Sequence, residues 1–237
     1  MTTAVPGQKP YFDALADLFH TFAADTDPIY RAWVTAAVPD LHEQPGSRAV
    51  DLGCGSGRFI DLLADRHAQV LAVDIAAREI EMCRAEHPRA NVRYQVRSLL
   101  DVTPDTDGRF DTVFTVNTVH HLRAHDIALP HLRSLVKPGG HLVLVDITDP
   151  GEWRSTDWHI HEAFVDAEES YRSRSRDPDI AAQVLRLRLH PHWLEHVTTN
   201  IPLTRDEFHR HYQAALPGIK FRDLHKEVIA GHWRAPQ

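Results

Sequence analysis

The pattern of apolar positions changes near residue 48, and this change separates a helical N-terminal segment from a region of short strands. Between residues 11 and 38, apolar residues recur at intervals of three and four, which is typical of amphipathic helices. The Asp27-Pro28 step falls inside this pattern, and a proline within a helix removes one backbone hydrogen bond. We therefore expect two helices that break near Asp27-Pro28 and together form a cap from residues 1–47.

From residue 48 onward, short apolar runs alternate with helical stretches. This alternation is typical of parallel strands joined by right-handed crossovers, so residues 48–150 predict one doubly wound α/β sheet. The predicted strands cover residues 48–53, 69–75, 92–97, 110–117 and 140–147. The predicted helices between them cover residues 57–66, 76–86 and 126–136.

The alternation ends after residue 150, and two different segments follow. The pattern of residues 151–216 predicts helices, and this segment is rich in Trp, Arg and His. We expect this insertion to form a lid over a substrate. Residues 217–237 contain two extended runs around Lys226-Glu227, which predict an antiparallel hairpin at the sheet edge. The predicted fold class is α/β, with a mostly parallel, Rossmann-like sheet of seven strands, a helical cap and a helical insertion.

Composition and charge disfavour several classes of function. The 237 residues carry a net charge of −7, which gives no support to binding the phosphates of nucleic acid. The apolar runs are too short to cross a bilayer, and the first residues lack the pattern of a secretion signal. The two cysteines do not form a CxxC pair, which suits a reducing compartment. We therefore expect a cytoplasmic protein that binds neither nucleic acid nor membrane.

The first predicted strand continues into the turn VDLGCGSGRF, residues 50–59, which places three glycines at alternate positions. Glycine loses more conformational entropy on folding than other residues, so this run indicates a ligand close to the backbone at the first strand-to-helix turn. Arg58 stands where the glycine pattern for a dinucleotide diphosphate has its third glycine, and Asp51 favours an ammonium group over a diphosphate. Asp74 follows Gly53 by about 20 residues and is placed to bind ribose hydroxyls.

These motifs, followed by FDTVFTVNTVHHL and LVKPGGHLVLVDI, resemble those of the class I S-adenosylmethionine-dependent methyltransferases of the small-molecule type. The resemblance covers residues 48–150 and implies S-adenosyl-L-methionine as cofactor and S-adenosyl-L-homocysteine as product. It implies that the cofactor is bound by Asp51, Gly53, Cys54, Gly55, Gly57, Asp74, Ile75, Ser98, Leu99 and Asn117.

Two parts of this implied cofactor site have alternatives. The family often has an aspartate for the adenine amino group where this chain has Ser98, and Asp101 is the alternative. From the N-terminal helices, Tyr11 is expected near the sulfonium and Arg31 near the cofactor carboxylate. The competing interpretation is that Tyr11 and Tyr30 only anchor these helices on the core.

Candidate catalytic residues follow the fourth and fifth predicted strands. Methyl transfer needs alignment of the reacting atoms, and a base when the acceptor is a hydroxyl or an acidic carbon. His120 and His121 are expected near the methyl group, and Asp146 is their natural partner carboxylate. The alternative is that one histidine packs in the core and the other caps a helix.

The expected function is transfer of a methyl group to oxygen, nitrogen or carbon of a small acceptor, aromatic or hydrophobic, plausibly in secondary metabolism. The fourth-strand motif lacks the prolines of enzymes that methylate nucleobase amines, which favours a free small molecule. Two alternatives stay open: a cyclase or regulator that binds the same cofactor, and an NAD-linked oxidoreductase. We expect a monomer or a homodimer.

Eighteen histidines raise the question of a metal site. His192 and His196 are four residues apart and could share one helical face, but the glutamate of a hydrolytic zinc helix is missing. We therefore predict no bound metal and expect these histidines to be solvated or packed in the core.

Overall fold

The computed structural model describes residues 11–122, 125–151, 153, 155–173, 176–225 and 227–237, without the side chains of residues 11–13, 21 and 23–29. The predicted role of the Tyr11 side chain therefore lies outside the described residues. The strands are β1 Arg48–Leu52, β2 Gln69–Asp74, β3 Val92–Val96, β4 Phe110–Val116, β5 Val136–Ile147, β6 Lys220–His225 and β7 Val228–Arg234. The helices are α1 Tyr11–Ala37, α2 Ile60–Arg66, α3 Ala77–Glu86, α4 Pro104–Asp107, α5 His125–Leu135, α6 Thr156–Ser173, α7 Pro178–Arg188, α8 Pro191–Thr199 and α9 Arg205–Ala215.

The strands form one seven-stranded sheet in the order β3-β2-β1-β4-β5-β7-β6. Strands β1 to β5 pair in parallel, whereas β7 is antiparallel to both of its neighbours. Val50 of β1 lies between Leu71 of β2 and Val113 of β4. From β1 the chain first adds β2 and β3 on one side and then crosses to add β4 and β5 on the other side, so the strand order reverses at β1. The predicted fold class is confirmed. In such sheets, ligands bind beyond the carboxyl ends of the strands at this reversal point.

The central strands are apolar because helices cover both faces of the sheet. On one face Leu52 and Leu142 pack in a cluster with Phe208 and Tyr212 of α9. On the other face Phe114 and Val143 belong to a cluster that includes Val34 of α1. Helix α9 lies in the segment predicted as a lid, yet its apolar side packs into the main core.

The N-terminal segment forms one continuous helix, so the predicted break near Asp27-Pro28 is wrong. The helix buries apolar side chains on both sides of the proline: Leu15 and Ala16 before it, and Tyr30 and Val34 after it. Because their spacing keeps one apolar stripe along a single helix, burying that stripe outweighs the hydrogen bond lost at proline.

Strand β5 begins at Val136, four residues before the predicted start. The segment Lys137 to Gly140 lies between the predicted helix and the predicted strand, but Val136 already pairs with Phe110 of β4. The pairing of β4 with β5 shifts register between Phe110 and Thr112, and a Cβ atom at Gly140 would lie 2.9 Å from the carbonyl oxygen of Asp111.

Along the described residues, no helix combines the length and apolarity that a membrane span requires.

Candidate active site

A cavity with about 1150 Å³ of empty space opens where β1, β2 and β4 end. Its walls come from the strand ends, from α1 and from α8, so segments distant in sequence close it. Nine residues predicted from sequence line it, namely Asp51, Gly53, Cys54, Gly55, Asp74, Ile75, Leu99, Asn117 and His121. The structure thus brings together most of the predicted site at one place.

The three glycines of the first turn serve two different purposes. Gly53, Gly55 and Gly57 have φ values of +79°, +51° and +103°, a region that side chains disfavour. A Cβ atom at Gly53 would lie 2.3 Å from Oγ1 of Thr118, and one at Gly57 would lie 2.7 Å from Sγ of Cys83. At Gly55 the nearest atom would be 3.7 Å away. The outer glycines are therefore required by internal packing, and Gly55 is the one that leaves room in the cavity.

Asp74 holds this turn in place. Its Oδ2 accepts a hydrogen bond from the backbone N–H of Gly55 at 3.0 Å, and its Oδ1 accepts one from the N–H of Ala76 at 2.9 Å. The Asp74 side chain also lines the cavity, so it lies within reach of a ligand there. The predicted ribose contact is compatible with this geometry.

Asp51 and Asn117 offer hydrogen-bond acceptors to the same cavity. Burial, together with the neighbouring Asp74 carboxylate, raises the pKa of Asp51 to about 8. Asn117 has φ of +52°, and its Nδ2 donates to the Tyr30 hydroxyl at 3.3 Å. Its Oδ1 is buried and makes no hydrogen bond to the described residues. A ligand that carries an ammonium group would satisfy both Asp51 and this amide oxygen.

Arg58 and Arg97 line the cavity, whereas Arg31 does not. The Arg31 guanidinium donates to the carbonyl oxygen of Arg58 at 3.1 Å and lies 5.3 Å from the centre of the Phe59 ring. The Arg58 guanidinium lies 5.1 Å from the centre of the Tyr30 ring. Arg58 had a sequence signal, since it replaces the third glycine of the dinucleotide pattern, but its reach into the cavity was not predicted.

The lining of the cavity differs from the predicted site at Ser98, Glu79 and Phe19. Ser98 does not line the cavity, because its hydroxyl accepts the N–H of Leu100 at 3.3 Å and caps a short helical turn. Glu79 of α3 and Phe19 of α1 line the cavity and were not predicted. Their neighbours in sequence show only ordinary helical patterns, so no local signal marks them.

His120 and Asp146 form a tight buried pair behind the cavity wall. Nδ1 of His120 lies 2.5 Å from Oδ1 of Asp146, and the backbone N–H of His120 donates to Oδ2 at 3.0 Å. The Tyr212 hydroxyl of α9 donates to the same Oδ2 at 3.5 Å. The carboxylate therefore fixes both the ring and the backbone of His120. The predicted pairing is present, although neither side chain lines the cavity.

His121 lines the cavity and lies between two other imidazoles. Its ring centre is 3.9 Å from that of His120 and 4.8 Å from that of His196 on α8. Burial lowers the pKa of His121 well below its usual value and lowers that of His196 to about 3. Both rings are therefore neutral at physiological pH.

His192 and His196 were expected to be solvated or packed in the core rather than to share a metal ion, and the structure separates the two. His192 is exposed, whereas His196 is buried and lines the cavity. Helix α8 is held by Trp193, whose ring stacks on Phe19 of α1 at 6.0 Å. This packing places His196 beside His121. The nitrogens of His120, His121 and His196 lie within 4.8 Å of one another, the one such cluster among the described residues that could approach a metal ion.

Comparisons with known proteins agree with this geometry. The family model for a methyltransferase domain matches residues 50–144. The ubiquinone biosynthesis O-methyltransferase of Xanthomonas euvesicatoria pv. vesicatoria (strain 85-10) is 34% identical over 104 residues, covering 43% of this chain. The match covers 44% of that relative, so the chain spans less than half the length of the curated relatives it matches.

Two solved structures share the fold. The complex of DhpI with S-adenosylhomocysteine is 19% identical with a TM-score of 0.59, covering 95% of this chain and 94% of that one. The N-methyltransferase NodS of Bradyrhizobium japonicum WM9, in complex with S-adenosyl-L-homocysteine, is 13% identical with a TM-score of 0.58. The match covers 97% of this chain and 100% of that one. Residues 50–144 of this chain thus resemble a methyltransferase domain, and the chain shares the fold of these two solved structures.

Proposed function

We propose that this protein transfers a methyl group from S-adenosylmethionine to a small-molecule acceptor. The observation that carries the proposal is the composition of one cavity. Carboxylates of Asp51 and Asp74 stand at the glycine turn, and the imidazole of His121 stands beyond the end of β4. A cofactor with an ammonium group at one end and ribose hydroxyls beside it fits the first group, and an acceptor that loses a proton fits the second.

Each part of the cofactor has a matching group in the cavity. Asp51 and the Asn117 amide oxygen bind the ammonium group, and Arg58 binds the carboxylate. Asp74 accepts hydrogen bonds from the ribose hydroxyls, and the apolar side chain of Ile75 contacts the adenine. These roles follow from the chemistry of the donor and acceptor groups that line the cavity.

The chain contributes alignment, exclusion of water and a place for the acceptor proton. The cofactor supplies an electrophilic methyl group on its sulfonium. Helix α1 brings Phe19 over the cavity and helix α8 brings His196, so these elements limit access of water. His121 accepts the hydrogen bond of the acceptor. His120, fixed by Asp146, packs against the ring of His121 and acts as a positioning residue.

The same cavity is a poor match for NAD. The carboxylates of Asp74 and Glu79 line it, and they would repel a diphosphate. We propose an aromatic or hydrophobic acceptor, in keeping with the relatives named as ubiquinone biosynthesis O-methyltransferases. The cytoplasmic location, the role in secondary metabolism and the monomeric or dimeric state stay predictions.

We expect S-adenosylhomocysteine to raise the melting temperature of the purified protein and NAD to leave it unchanged. Saturation at about 100 times Kd should stabilise the folded state by about 2.7 kcal/mol. In a panel of small acceptors, mass spectrometry should then find a product heavier by one methylene group together with released S-adenosylhomocysteine. Stabilisation by NAD alone would contradict the proposal. Binding without any methylated product from a broad panel would favour a cyclase or regulator.

We expect His120→Ala and His121→Ala to lower the turnover of an acceptor found in that panel. The loss of His121 costs about 100-fold or more, because the proton of the acceptor then has no group to receive it, and the loss of His120 removes the ring that positions His121. Calorimetry should show that the affinity for S-adenosylhomocysteine stays within twofold. The control is His192→Ala, an exposed histidine of α8 that should keep full activity. If both variants retain the turnover of the unmodified protein, these histidines have no part in proton transfer.

A further inference from the structure

Asn200 follows the last residue of α8 and lies on the wall of the cavity, where the residue is only 6% exposed. Its Nδ2 lies 3.0 Å from the carbonyl oxygen of His196 and 2.8 Å from Nδ1 of the same residue. A carbonyl oxygen only accepts hydrogen bonds, so the Asn200 atom beside it is the amide nitrogen. This bond fixes the orientation of the amide and distinguishes Nδ2 from Oδ1.

The amide oxygen of Asn200 is open toward the cavity. Within the described residues, the hydrogen bonds of this side chain all involve Nδ2, and Oδ1 accepts none. Oδ1 is not fully buried, and Asn200 lines the cavity, so the accessible side of this oxygen faces the cavity. An acceptor that stays unpaired once a ligand covers it costs free energy. A ligand that brings a hydrogen-bond donor to Oδ1 is therefore favoured.

The neighbours of Asn200 place it at the end of the cavity where the methyl acceptor binds in the proposed function. Nδ2 of Asn200 contacts His196, and the ring centre of His196 is 4.8 Å from that of His121 beyond the end of β4. Phe19 closes the same end, because its ring stacks at 6.0 Å on Trp193 of α8. Asn200 thus faces the acceptor rather than the cofactor.

The charge of the cavity wall indicates an uncharged ligand group at this end. Among the described lining residues, the carboxyl groups are those of Asp51, Asp74 and Glu79. Asp51 and Asp74 belong to β1 and β2. Oε2 of Glu79 lies 3.7 Å from the Cβ position of Gly55, so all three groups surround the glycine turn. An ammonium group is stabilised by a carboxylate, whereas its burial against one neutral amide oxygen costs desolvation free energy. The amide oxygen of Asn200 therefore suits a neutral donor.

We propose that Asn200 is a specificity-determining residue that binds an uncharged hydrogen-bond donor of the methyl acceptor, a hydroxyl or an amide N–H. The inference rests on the proposed methyl transfer and names a chemical class for its substrate. The donor gives its hydrogen to Oδ1, while Nδ2 keeps its bond to the carbonyl oxygen of His196. A substrate without this donor leaves Oδ1 unpaired and binds more weakly. Asn200 holds the substrate and takes no part in the bonds that form and break.

The first test uses two probes of nearly the same size, phenol and fluorobenzene, on the protein saturated with S-adenosylhomocysteine. Phenol carries a hydroxyl donor, and fluorine in its place cannot donate. We expect phenol to bind about tenfold more tightly, the effect of one hydrogen bond. Phenol should also shift the ¹⁵N–¹H side-chain amide signal of Asn200, which is assigned by its absence from the Asn200→Leu protein. Equal affinity for the two probes, or an unchanged amide signal with phenol, would overturn the proposal.

Two substitutions separate the amide oxygen from the anchoring nitrogen. Asn200→Leu removes both at similar bulk, and we expect the preference for phenol over fluorobenzene to fall about tenfold. Asn200→Asp keeps an oxygen but loses the N–H that binds the carbonyl oxygen of His196, and it should keep the preference within threefold. Loss of the preference in both variants would show that Asn200 acts only through its structural bond to His196. An unchanged preference in the leucine variant would exclude Asn200 from the site.

Asn91→Leu is the matched control. Nδ2 of Asn91 also donates to the main chain, to the carbonyl oxygens of Ala64 at 2.8 Å and His67 at 3.0 Å, but Asn91 lies outside the cavity. This variant should keep the full preference for phenol. A similar loss of preference in Asn91→Leu would trace the effect to a loosened fold and contradict the role of Asn200.

Calorimetry with S-adenosylhomocysteine separates this inference from the proposed function. We expect its Kd to stay within twofold in Asn200→Leu. Cofactor binding that is about tenfold weaker in this variant would assign Asn200 to the cofactor and overturn the inference. If S-adenosylhomocysteine does not bind the unmodified protein, the proposed function fails, whereas the probe titrations, repeated without it, still test the hydrogen bond to Asn200.

Discussion

Gly55→Leu should abolish the binding of S-adenosylhomocysteine while the protein stays folded. The backbone at Gly55 has φ of +51°, and its Cβ position has no atom nearer than 3.7 Å, so the new side chain is accommodated at its base. Beyond Cβ it extends into the cavity and occupies the space of the cofactor. We expect Kd to rise at least 100-fold in isothermal titration calorimetry.

Gly46→Leu is the matched control for backbone strain. Gly46 has φ of +71° with open space at its Cβ position, and it lies outside the cavity. Both variants should lose about 1–2 kcal/mol of stability, because a side chain is disfavoured in the left-handed region. Cofactor affinity should be unchanged in Gly46→Leu. Normal binding by Gly55→Leu would show that the cofactor lies elsewhere.

Asp51→Asn should stabilise the protein without ligand and weaken cofactor binding. The pKa of Asp51 is raised to about 8 by burial and by Asp74, so the folded state keeps a proton that the unfolded state loses above pH 4. Stability therefore falls as pH rises from about 4 to 8, by up to about 1.4 kcal/mol per pH unit. Asparagine does not titrate, so the variant avoids this loss. We expect its melting temperature at pH 8 to be higher by about 3 °C or more.

The same substitution removes the carboxyl group that gives up its proton when it pairs with the cofactor ammonium group. A hydrogen bond to a charged group contributes about 1.5–3 kcal/mol, so S-adenosylhomocysteine should bind about 10- to 100-fold more weakly. The control is Asp105→Asn, an exposed carboxylate outside the cavity, which should change neither property. A variant that melts at the same temperature as the original protein at both pH 5 and pH 8 would contradict the buried, protonated state of Asp51.

The cofactor half of the site was largely predictable because it is local in sequence. The glycine turn and Asp74 each follow a strand directly, and parallel strands bring their carboxyl ends together. What the pattern could not separate was the purpose of each glycine. Gly53 and Gly57 are required by Thr118 and Cys83, and this follows only from packing between elements.

The errors have a common physical origin. The predicted break at Pro28 was wrong because the local cost of proline was outweighed by burial along the whole helix, which depends on what α1 contacts. Arg31 was expected in the cavity, but its guanidinium binds the carbonyl oxygen of Arg58, and Arg58 lines the cavity instead. A long side chain on a helix has several partners within reach, and the sequence does not rank them.

The sequence by itself determined the mostly parallel core sheet, the glycine turn and the resemblance to methyltransferases, because strand alternation and strand-end motifs depend on neighbours along the chain. Only the tertiary structure decided that His196 joins His120 and His121. That meeting depends on the stacking of Trp193 on Phe19, which sets α8 against α1. Side chains that are distant in sequence become neighbours through packing, and the orientation of their donors and acceptors is then set by bonds such as that from Asn200.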